Sequence, residues 1–524
     1  MASHSDALPG SITTGRLSQL AATVPANPGG SEFTVEAPYT GKAIGTVPSC
    51  APADVRAAVK RARDAQADWA DRPVDERAAV LLQFHDLVFD RRAELLDVTQ
   101  LESGKARIDA FEELMDVATN ARHYAHRAEQ YLGSVDRKGA LPLLTRTVEH
   151  RHPVGVVGVI SPWNYPLTLA VSDAIPALLA GNSVVLKPAS ETPFAALLVR
   201  ELLEEAGLPE GVFEVVTGRG SEVGPALVDE VDYVCFTGST ETGREVARRA
   251  GENLVDCSLE LGGKNPMVVL ADADLDAAAA GAVHGCFTNA GQLCISFERL
   301  YVQREVYDDF LDRFVRRTRA IDLRASYDWK ADVGSLVSAD QLETVEAHVD
   351  DAVGKGADLL VGGRARPDIG PYFYEPTVLS GVSGEMDIAR EETFGPVVSV
   401  RPFDFADEAV ALANDSAYGL NASVWTADSD RGREMARRIE CGTVNVNDAY
   451  AAAWGSVDAP MGGMKDSGLG RRHGREGFLK YTESQTVAEQ RAGSIRPPDW
   501  LPKGWYARGM SSALRLMERL PGVR

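Results

Sequence analysis

The chain has 524 residues, 44% of them hydrophobic and 25% charged, and its formal net charge at pH 7 is -22. This composition is typical of soluble globular domains, and no apolar run approaches the length of a membrane span. The acidic charge argues against nucleic acid as a partner, because phosphate binding requires a basic surface. Six cysteines without a CxxC motif or a Cys/His cluster argue against a disulfide framework and structural zinc. The polar N-terminal residues lack a secretory signal pattern, so we expect a cytoplasmic protein.

The N-terminal part of the chain predicts a tail followed by helices. Residues 1–30 are rich in Ser, Thr, Gly and Pro and lack apolar periodicity, which predicts a loose tail. From Pro52 onward apolar side chains recur at helical spacing. A second helical stretch is predicted from Asp75 to about Ser103.

Strands and helices then alternate along the chain. The first predicted strands are VGVVGVI, SVVLKP, VFEVVTG and VDYVCFTG, and helices are predicted at 192–206, at 221–229 and from about Thr242. This alternation is typical of a parallel sheet covered by helices. It restarts after Pro266, with a helix near 273–290 and strands at MVVLADADLD, LYVQ, PVVSVRPF, NASVWTA and TVNVND. We therefore predict an α/β fold with a second α/β domain beginning there.

The segment from Gly238 to Gly243 lies at a predicted turn from a strand to a helix. Glycines there let the backbone approach a pyrophosphate, and a helix N-terminus favours its negative charge. The segment is neither a GxGxxG motif nor a P-loop. Taken alone, it fits a plain tight turn equally well.

Three further residues are candidates for chemistry. Cys294 follows a predicted helix, although a lone cysteine is usually buried and inert. Glu260 ends an apolar strand before a glycine pair, which is an unusual place for a carboxylate unless it lines a cleft. Asn164 ends another strand and offers an amide that can donate to an oxyanion. Their joint presence favours nucleophilic catalysis.

Six motifs resemble the aldehyde dehydrogenase superfamily in order and approximate spacing. They are PWNYP at 162–166, KPAS at 187–190, FTGST at 236–240, ELGGKNP at 260–266, GQLC at 291–294 and EETFGPV at 391–397. The resemblance covers about residues 31–490. DSGLGRRHGREG at 466–477 and the extended C-terminus are most similar to the succinate-semialdehyde dehydrogenase branch of actinobacteria and archaea. The resemblance implies an aldehyde dehydrogenase fold with a Rossmann-like cofactor domain, an α/β catalytic domain and a β-arm for oligomerisation.

The same resemblance implies NAD(P)-dependent oxidation of a small-molecule aldehyde, with succinate semialdehyde as the first candidate. Cys294 would attack the aldehyde, hydride transfer would leave a thioester, and Glu260 would activate the water that cleaves it. The Asn164 amide and the backbone N–H of Cys294 would bind the oxyanion. A largely apolar cleft should raise the pKa of Glu260. Lys264 is a lesser candidate, with a surface or structural charge as the alternative.

The family pattern also assigns residues to the dinucleotide. Lys187 would lie near the adenosine ribose, Gly238 and Ser239 near the pyrophosphate, Glu392 on the nicotinamide ribose and Phe394 against the nicotinamide. Without the other motifs, Glu392 and Phe394 would be interpreted as a loop that packs on the core. The remaining cofactor residues implied by the resemblance are Ile160, Pro162, Trp163, Ser190, Gly243, Leu261 and Gly262.

Ser190 bears on the choice between NADP and NAD. Many NAD-preferring relatives have at this position a glutamate that binds the ribose hydroxyls and would repel a 2′-phosphate. A small neutral residue beside Lys187 admits NADP, whereas the neighbouring Glu191 opposes it. The predicted cofactor is NADP or NAD, with NADP favoured.

Several departures from the family pattern bear on the substrate. Well-studied succinate-semialdehyde enzymes hold the substrate carboxylate with two arginines, where this chain has Ser172 and Thr288. Either the carboxylate is captured elsewhere, or the enzyme acts on broader aliphatic or aromatic aldehydes. Ser296 replaces the second cysteine of disulfide-regulated relatives. The glutamate often found in the late GRE segment is replaced in Gly470-Arg471-Arg472, which leaves the role of that position open.

Two other classes of function are disfavoured. Acyl transfer to coenzyme A is disfavoured because Glu260 is retained. A non-enzymatic role on an inactive dehydrogenase fold is disfavoured because Cys294, Glu260 and Asn164 are all present.

The predicted domain division follows the same family pattern. It comprises a tail at 1–30, an NAD(P)-binding domain at 31–134 and 154–262, an oligomerisation arm at 135–153 and 481–493, a catalytic domain at 263–480 and a C-terminal extension at 494–524. Segments 141–152 and 485–491 are the predicted strands of the arm. An isolated arm would expose unpaired strand edges, so a homodimer or homotetramer is expected.

The region after Arg491 is basic, in contrast to the acidic rest of the chain. Apolar side chains recur at helical spacing between Trp505 and Leu520, which predicts a short amphipathic helix. Docking on the acidic body or on a neighbouring subunit is the favoured interpretation. The alternative is a weak membrane-surface contact, for which Trp500 and Trp505 suit an interface.

Overall fold

A computed structural model of the chain describes residues 8–27, 29–139, 145–491 and 496–519. Its first elements are α1 (Thr14–Ala21), β1 (Glu32–Ala37), β2 (Lys42–Pro48), α2 (Pro52–Ala70), α3 (Val74–Asp90), α4 (Arg92–Ser103), α5 (Arg107–Leu132), β3 (Val135–Lys138) and β4 (Thr145–Pro153). The alternating elements that follow are β5 (Val156–Ile160), α6 (Pro166–Val171), α7 (Ala174–Leu179), β6 (Ser183–Lys187), α8 (Pro193–Glu205), β7 (Phe213–Val215), α9 (Gly220–Val228), β8 (Tyr233–Thr237), α10 (Thr240–Glu252) and β9 (Asp256–Glu260).

The second half of the chain continues the alternation. Its elements as far as the fourteenth strand are β10 (Asn265–Val269), α11 (Leu275–Phe287), β11 (Phe297–Gln303), α12 (Tyr307–Arg319), α13 (Ala339–Gly354), β12 (Asp358–Val361), β13 (Thr377–Ser380) and β14 (Val397–Phe403). The remaining elements are α14 (Ala406–Asn414), β15 (Tyr418–Gly419), β16 (Asn421–Trp425), α15 (Ser429–Ala436), β17 (Thr443–Val446), α16 (Ala451–Trp454), β18 (Met464–Lys465), β19 (Gly468–Leu469), α17 (Gly474–Leu479), β20 (Thr482–Gln490) and α18 (Lys503–Glu518).

The predicted loose tail is wrong for α1. The hydroxyl of Thr13 caps this helix by accepting the backbone N–H of Arg16, and Leu17 and Leu20 are buried against β2 and α8. Eight residues carry too few apolar positions to show a period, and a helix this short is stabilised mainly by packing. Residues 1–7 and residue 28 of the predicted tail lie outside the described residues.

The predicted helices of the N-terminal part are present with one difference. Helix α2 begins at Pro52 and buries a face that includes Val55, Val59 and Trp69. The stretch predicted from Asp75 to Ser103 forms two helices, because the backbone leaves the helical region at Arg91, with φ -95° and ψ 16°. No proline or glycine lies at this break, so no local signal in the sequence predicts it.

A six-stranded sheet forms the first α/β layer. Its order is β19-β9-β8-β5-β6-β7, in which β5 to β9 are parallel and β19 is antiparallel to β9. The chain therefore proceeds from β5 to β7 on one side and resumes with β8 and β9 on the other. This reversal is the switch point at which open α/β sheets bind ligands.

A seven-stranded sheet forms the second α/β layer. Its order is β12-β13-β14-β11-β10-β16-β17, and all neighbouring pairs except β12 and β13 are parallel. Both sheets have buried hydrophobic clusters of their own. The predicted restart of the alternation after Pro266 is confirmed by β10.

A three-stranded antiparallel sheet of order β20-β4-β3 contains the two segments predicted as arm strands. Strands β4 and β20 pair from Pro153 with Thr482 to Thr145 with Gln490. After Thr482, the residues of β20 are exposed. Residues 140–144 and 492–493 of the predicted arm lie outside the described residues.

Helix α18 confirms the amphipathic helix predicted near the C-terminus, although it buries no residue. Trp500 is 80% exposed and Trp505 is 68% exposed, so docking of this segment on the body of its own chain stays a prediction that these side chains do not support. Residues 494–495 and 520–524 of the predicted extension lie outside the described residues. In the described part of the chain, no helix has the length and apolar character needed to cross a membrane.

Candidate active site

The carboxyl ends of the parallel strands in the six-stranded sheet bring four predicted site segments together. Ile160, at the end of β5, is in register with Lys187 of β6 and Phe236 of β8, and Thr237 of β8 is in register with Glu260 of β9. Because parallel strands end at one edge, the loops after them share one crevice. The crevice lies at the switch point between β5 and β8.

Buried charges on α5 and in the turn before it hold the loop that carries Pro162, Trp163 and Asn164. Lys105 is fully buried, forms an ion pair with Glu113 and donates from Nζ to the backbone oxygen of Asn164 at 2.7 Å. Glu113 also accepts the backbone N–H groups of two residues at the start of α6. Sequence reasoning missed this pair, since a Lys and a Glu eight positions apart carry no functional signature.

A strained turn positions Cys294. The predicted helix 273–290 ends early, at Phe287, and Asn289, Ala290 and Gly291 adopt left-handed φ angles of 53°, 54° and 72°. Such backbone is costly for residues other than glycine and occurs mainly where the surrounding structure holds it, as at active sites. The side-chain amide of Asn265 fixes the next part of the loop by donating to the backbone oxygen of Cys294 at 2.8 Å.

A narrow cavity of about 40 Å³ joins Cys294 to Asn164. The Asn164 amide nitrogen lies 3.1 Å from the backbone oxygen of Gln292, to which it donates one of its two N–H groups. Ser172 lines the same cavity, whereas Thr288 lines a separate cavity of about 410 Å³. Of the two positions at which the sequence lacks the expected arginines, only Ser172 therefore borders the cavity at Cys294.

Burial dominates the electrostatics of Cys294 and Glu260. Burial, with contributions from the charges of Glu260 and Glu392, raises the pKa of the Cys294 thiol to about 12. Burial also raises the pKa of Glu260 to about 7, against the opposing effect of the cations Arg472 and Lys480. The resting thiol is therefore protonated at neutral pH, and Glu260 can exchange a proton near pH 7.

Arg472 occupies the position in the GRE segment whose role the sequence left open. It is buried, lines the cavity beside Cys294, forms an ion pair with Asp173 and donates to the hydroxyl of Thr237 at 3.0 Å. Lys480 contacts the same carboxylate at 2.9 Å. Although burial opposes it, these two cations lower the pKa of Asp173 well below its usual range.

The glycine motifs meet the loop that contains Glu392 and Phe394. Glu392 accepts the backbone N–H of Gly263 at 2.8 Å, and a side chain at Gly262 would collide with the Glu392 carboxylate. The rings of Phe394 and Trp163 meet edge to face with centroids 5.5 Å apart. The predicted nicotinamide residues and the loop after β5 are thus neighbours.

Two further contacts concern the cofactor crevice and the loop beside it. Gly243 packs so closely on Leu261 that a Cβ would collide with it, and the Ser239 hydroxyl accepts the backbone N–H of Thr242 at the start of α10. Lys264 is fully buried and paired with Glu298, which accepts the backbone N–H groups of the loop around Phe394. These contacts support the interpretation of Lys264 as a structural charge.

Lys187 tests whether the crevice fits a dinucleotide. Its side chain is buried, and in the described residues its ammonium has no hydrogen bond or ion pair, so burial lowers its pKa against a partial compensation from Glu191. A buried cation without a partner is costly. Ribose hydroxyls or a phosphate would supply the missing partner, so the crevice fits the cofactor.

Ser190, Glu191 and Arg219 line a cavity of about 250 Å³, which is separate from the cavity at Cys294. The hydroxyl of Ser190 donates to the backbone oxygen of Gly218 at 3.1 Å. Sequence reasoning missed Arg219, although the turn of glycines around it after a predicted strand is a signal for close approach of a ligand. An arginine here adds a positive charge beside Ser190.

The structure explains how Ser296 is accommodated. Its hydroxyl lies 3.1 Å from the backbone oxygen of Gly285 and 3.2 Å from that of Cys286, so it acts as a structural donor at the end of α11. All six cysteines are free thiols.

Residues 25–487 match the model of the aldehyde dehydrogenase family. The chain belongs to this family. Its relatives include a protein of Mycolicibacterium smegmatis, 54% identical over 488 residues that cover 93% of this chain and 94% of the relative. Another, from Sinorhizobium fredii, is 38% identical over 459 residues that cover 85% and 91% of the two chains. Both carry provisional names as succinate-semialdehyde dehydrogenases of the NADP(+) type.

Solved structures agree with this assignment. A crystal structure of betaine aldehyde dehydrogenase from Staphylococcus aureus in complex with NAD+ has a TM-score of 0.86 at 32% identity, and the match covers 94% of this chain and 99% of that one. The predicted aldehyde dehydrogenase fold is confirmed. The protein is an NAD(P)-dependent enzyme that oxidises aldehydes.

Proposed function

We propose that this enzyme oxidises succinate semialdehyde to succinate, with Cys294 as nucleophile, Glu260 as base and Asn164 as oxyanion donor. The observation that carries the chemistry is the convergence of Cys294 and Asn164 on one cavity, with Glu260 close enough to influence the Cys294 thiol. The names of the two relatives support the choice of substrate.

The chain's own groups divide the reaction into two steps. The Cys294 thiol releases its proton to solvent water as its sulfur bonds to the aldehyde carbon, while the second N–H of the Asn164 amide and the Cys294 backbone N–H stabilise the oxyanion. The bound oxidised nicotinamide supplies the hydride acceptor. Glu260 then takes a proton from the water that attacks the thioester, which releases the carboxylic acid and restores the thiol.

We propose that Lys187, Ser190, Gly238 and Ser239 hold the adenosine side of the cofactor. Glu392, Phe394 and Trp163 hold its nicotinamide side, and Gly243, Leu261 and Gly262 keep the strand-to-helix packing tight enough for its approach. Ile160 and Pro162 border the crevice at the end of β5. The charges of Lys187 and Arg219 favour the 2′-phosphate of NADP.

The proposed cofactor site predicts how a negative charge beside Lys187 changes the preference between NADP and NAD. Replacing Ser190 with Glu should lower kcat/KM for NADP by about 10²-fold through repulsion of the 2′-phosphate, with a much smaller effect on NAD. Steady-state kinetics with both cofactors measures the ratio. Ser190→Gln is the matched control, since it adds similar bulk without charge. An NADP to NAD ratio that stays the same in Ser190→Glu would show that the ribose is recognised elsewhere.

The proposed substrate is tested by turnover of the wild-type enzyme. We expect kcat/KM for succinate semialdehyde to exceed that for hexanal and for benzaldehyde by at least about 10²-fold. Equal or higher values for the two uncharged aldehydes would favour the broad-specificity enzyme suggested by Ser172 and Thr288. The assay is run with NAD and with NADP, so that an unsuitable cofactor does not conceal activity.

We further propose that the sheet of β3, β4 and β20 forms an arm between subunits of a homodimer or homotetramer. The exposed strand β20 lies at the edge of this sheet and can pair with another chain. Helix α18 would contact a neighbouring subunit, because no residue of this amphipathic helix is buried among the described residues of its own chain.

Removal of residues 492–524 tests the role of α18. Contact with a neighbouring subunit predicts a smaller assembly or a lower thermal midpoint, measured by sedimentation and calorimetry. The membrane-surface alternative predicts an unchanged enzyme that no longer sediments with anionic vesicles at low salt. A truncated enzyme with the same assembly, the same midpoint and no vesicle binding by the full chain would contradict both.

A further inference from the structure

The cavity beside Cys294 collects polar groups that lack hydrogen-bond partners. Among the described residues, the buried side-chain atoms without a partner include five from residues that line this cavity. They are Tyr165 Oη, Ser172 Oγ, Trp454 Nε1, Arg472 Nε and His473 Nδ1. Leaving such groups unpaired is costly, and a cluster of them needs a ligand or water to explain it.

The charges around these groups favour an anion. Arg472 and Lys480 share the single carboxylate of Asp173, which also accepts the hydroxyl of Tyr481 at 2.7 Å. One of the two positive charges is therefore left without a counter-ion in this group. Burial raises the pKa of both nearby carboxyls, Asp116 and Glu260, to about 7, so neither cancels the excess charge fully at neutral pH.

We propose that the Nε–H of Arg472, the indole N–H of Trp454 and the hydroxyl of Ser172 bind the carboxylate at the far end of the aldehyde substrate. Arginine and indole N–H groups are donors only, so an acceptor such as a carboxylate matches them. This inference rests on the proposed function and names the residues that select its substrate. In this proposal the carboxylate is bound by Arg472 of the GRE segment, by Trp454 of α16 and by Ser172, instead of by the two arginines of well-studied succinate-semialdehyde enzymes.

The size of the cavity limits the substrate class. The cavity is narrow, with a volume of about 40 Å³, and the rings of Tyr165 and Trp454, with centroids 5.8 Å apart, border it. A short unbranched chain needs less width there than an aromatic ring. The site therefore fits a short aldehyde with a terminal carboxylate.

The test compares succinate semialdehyde with butanal, which has the same carbon count and no carboxylate. Trp454→Phe removes one N–H group and should lower the ratio of their kcat/KM values by about 10-fold. Arg472→Met should lower this ratio by about 10² to 10³-fold, since it removes the charge as well. Ser172→Ala should have a smaller effect in the same direction. The Ki of succinate as a competitive inhibitor should rise in parallel.

Trp425→Phe is the matched control, because the indole Nε1 of Trp425 is also buried without a partner but lies outside this cavity. It should leave the ratio unchanged. Thermal unfolding of each variant identifies any that fails to fold, and Trp454→Phe keeps the proposal testable if Arg472→Met is lost in this way.

The outcomes separate the two proposals. A wild-type enzyme that does not prefer succinate semialdehyde over butanal overturns the proposed substrate and this site with it. A wild-type enzyme with that preference, retained in Trp454→Phe, Ser172→Ala and any folded Arg472→Met, overturns only the site. Water alone would then occupy the unpaired donors.

Discussion

Replacing Cys294 with alanine should reduce aldehyde oxidation by about 10⁴-fold or more while dinucleotide binding persists. The substitution removes the sulfur that bonds to the aldehyde carbon, and it leaves the crevice at the ends of β5, β6 and β8 untouched. Fluorescence titration with the reduced cofactor measures binding, and absorbance at the nicotinamide band measures oxidation. The strained turn before Cys294 is held by backbone contacts, so the variant should fold.

Cys441→Ala is the matched control for this variant. Cys441 is also a free thiol, and it is buried in the third hydrophobic cluster, away from the cavity. It should retain the wild-type rate. Oxidation by Cys294→Ala above a small fraction of that rate would overturn the assignment of the nucleophile.

Replacing Glu260 with glutamine should slow thioester hydrolysis more than acylation. We expect the steady-state rate to fall by about 10² to 10³-fold, because glutamine cannot take the proton of the attacking water. A burst of reduced cofactor equal to the enzyme concentration should survive in rapid-mixing experiments. Loss of the burst itself would show that Glu260 also acts in acylation, or that another base is needed there.

The pH profile gives a second readout of Glu260. Its pKa of about 7 means that the carboxylate, the active form of the base, is lost as the pH falls through 7. The wild-type kcat should therefore decline on the acidic side with an apparent pKa near 7, and Glu260→Gln should lose this limb. Glu214→Gln is the control, since Glu214 on β7 is a buried carboxylate that forms an ion pair with Arg61 of α2. An acidic limb that persists in Glu260→Gln would assign it to another group.

Sequence patterns predicted the parts of this enzyme that depend on local signals. The alternation of apolar strands and helices identified both α/β layers, because each strand is buried and reads as an apolar run. The candidate residues Cys294, Glu260 and Asn164 were found because each belongs to a short motif. Helix α1 was missed because its stability comes from packing on β2 and α8.

The parts that were missed depend on contacts distant in sequence. Arg472 meets Asp173 across 299 positions, and Lys105 meets the backbone of Asn164 across 59. Neither pairing follows from the residues near it in the chain, since an arginine or a lysine is most often a solvated surface charge. The departure from the GRE pattern marked Arg472 as unusual, but its partner became apparent only with the fold.

The pairing of β19 with β9 has a consequence for synthesis on the ribosome. Gly468 lies opposite Glu260, and the Ser467 hydroxyl donates to the backbone oxygen of Gly262 across 205 positions at 2.7 Å. While the nascent chain is growing, the strand that ends at Glu260 has a free edge until this late segment emerges. The six-stranded sheet therefore keeps an unpaired strand edge until then, and chaperones can bind such an edge during translation. Catalytic competence arises only when the last part of the family region has left the exit tunnel.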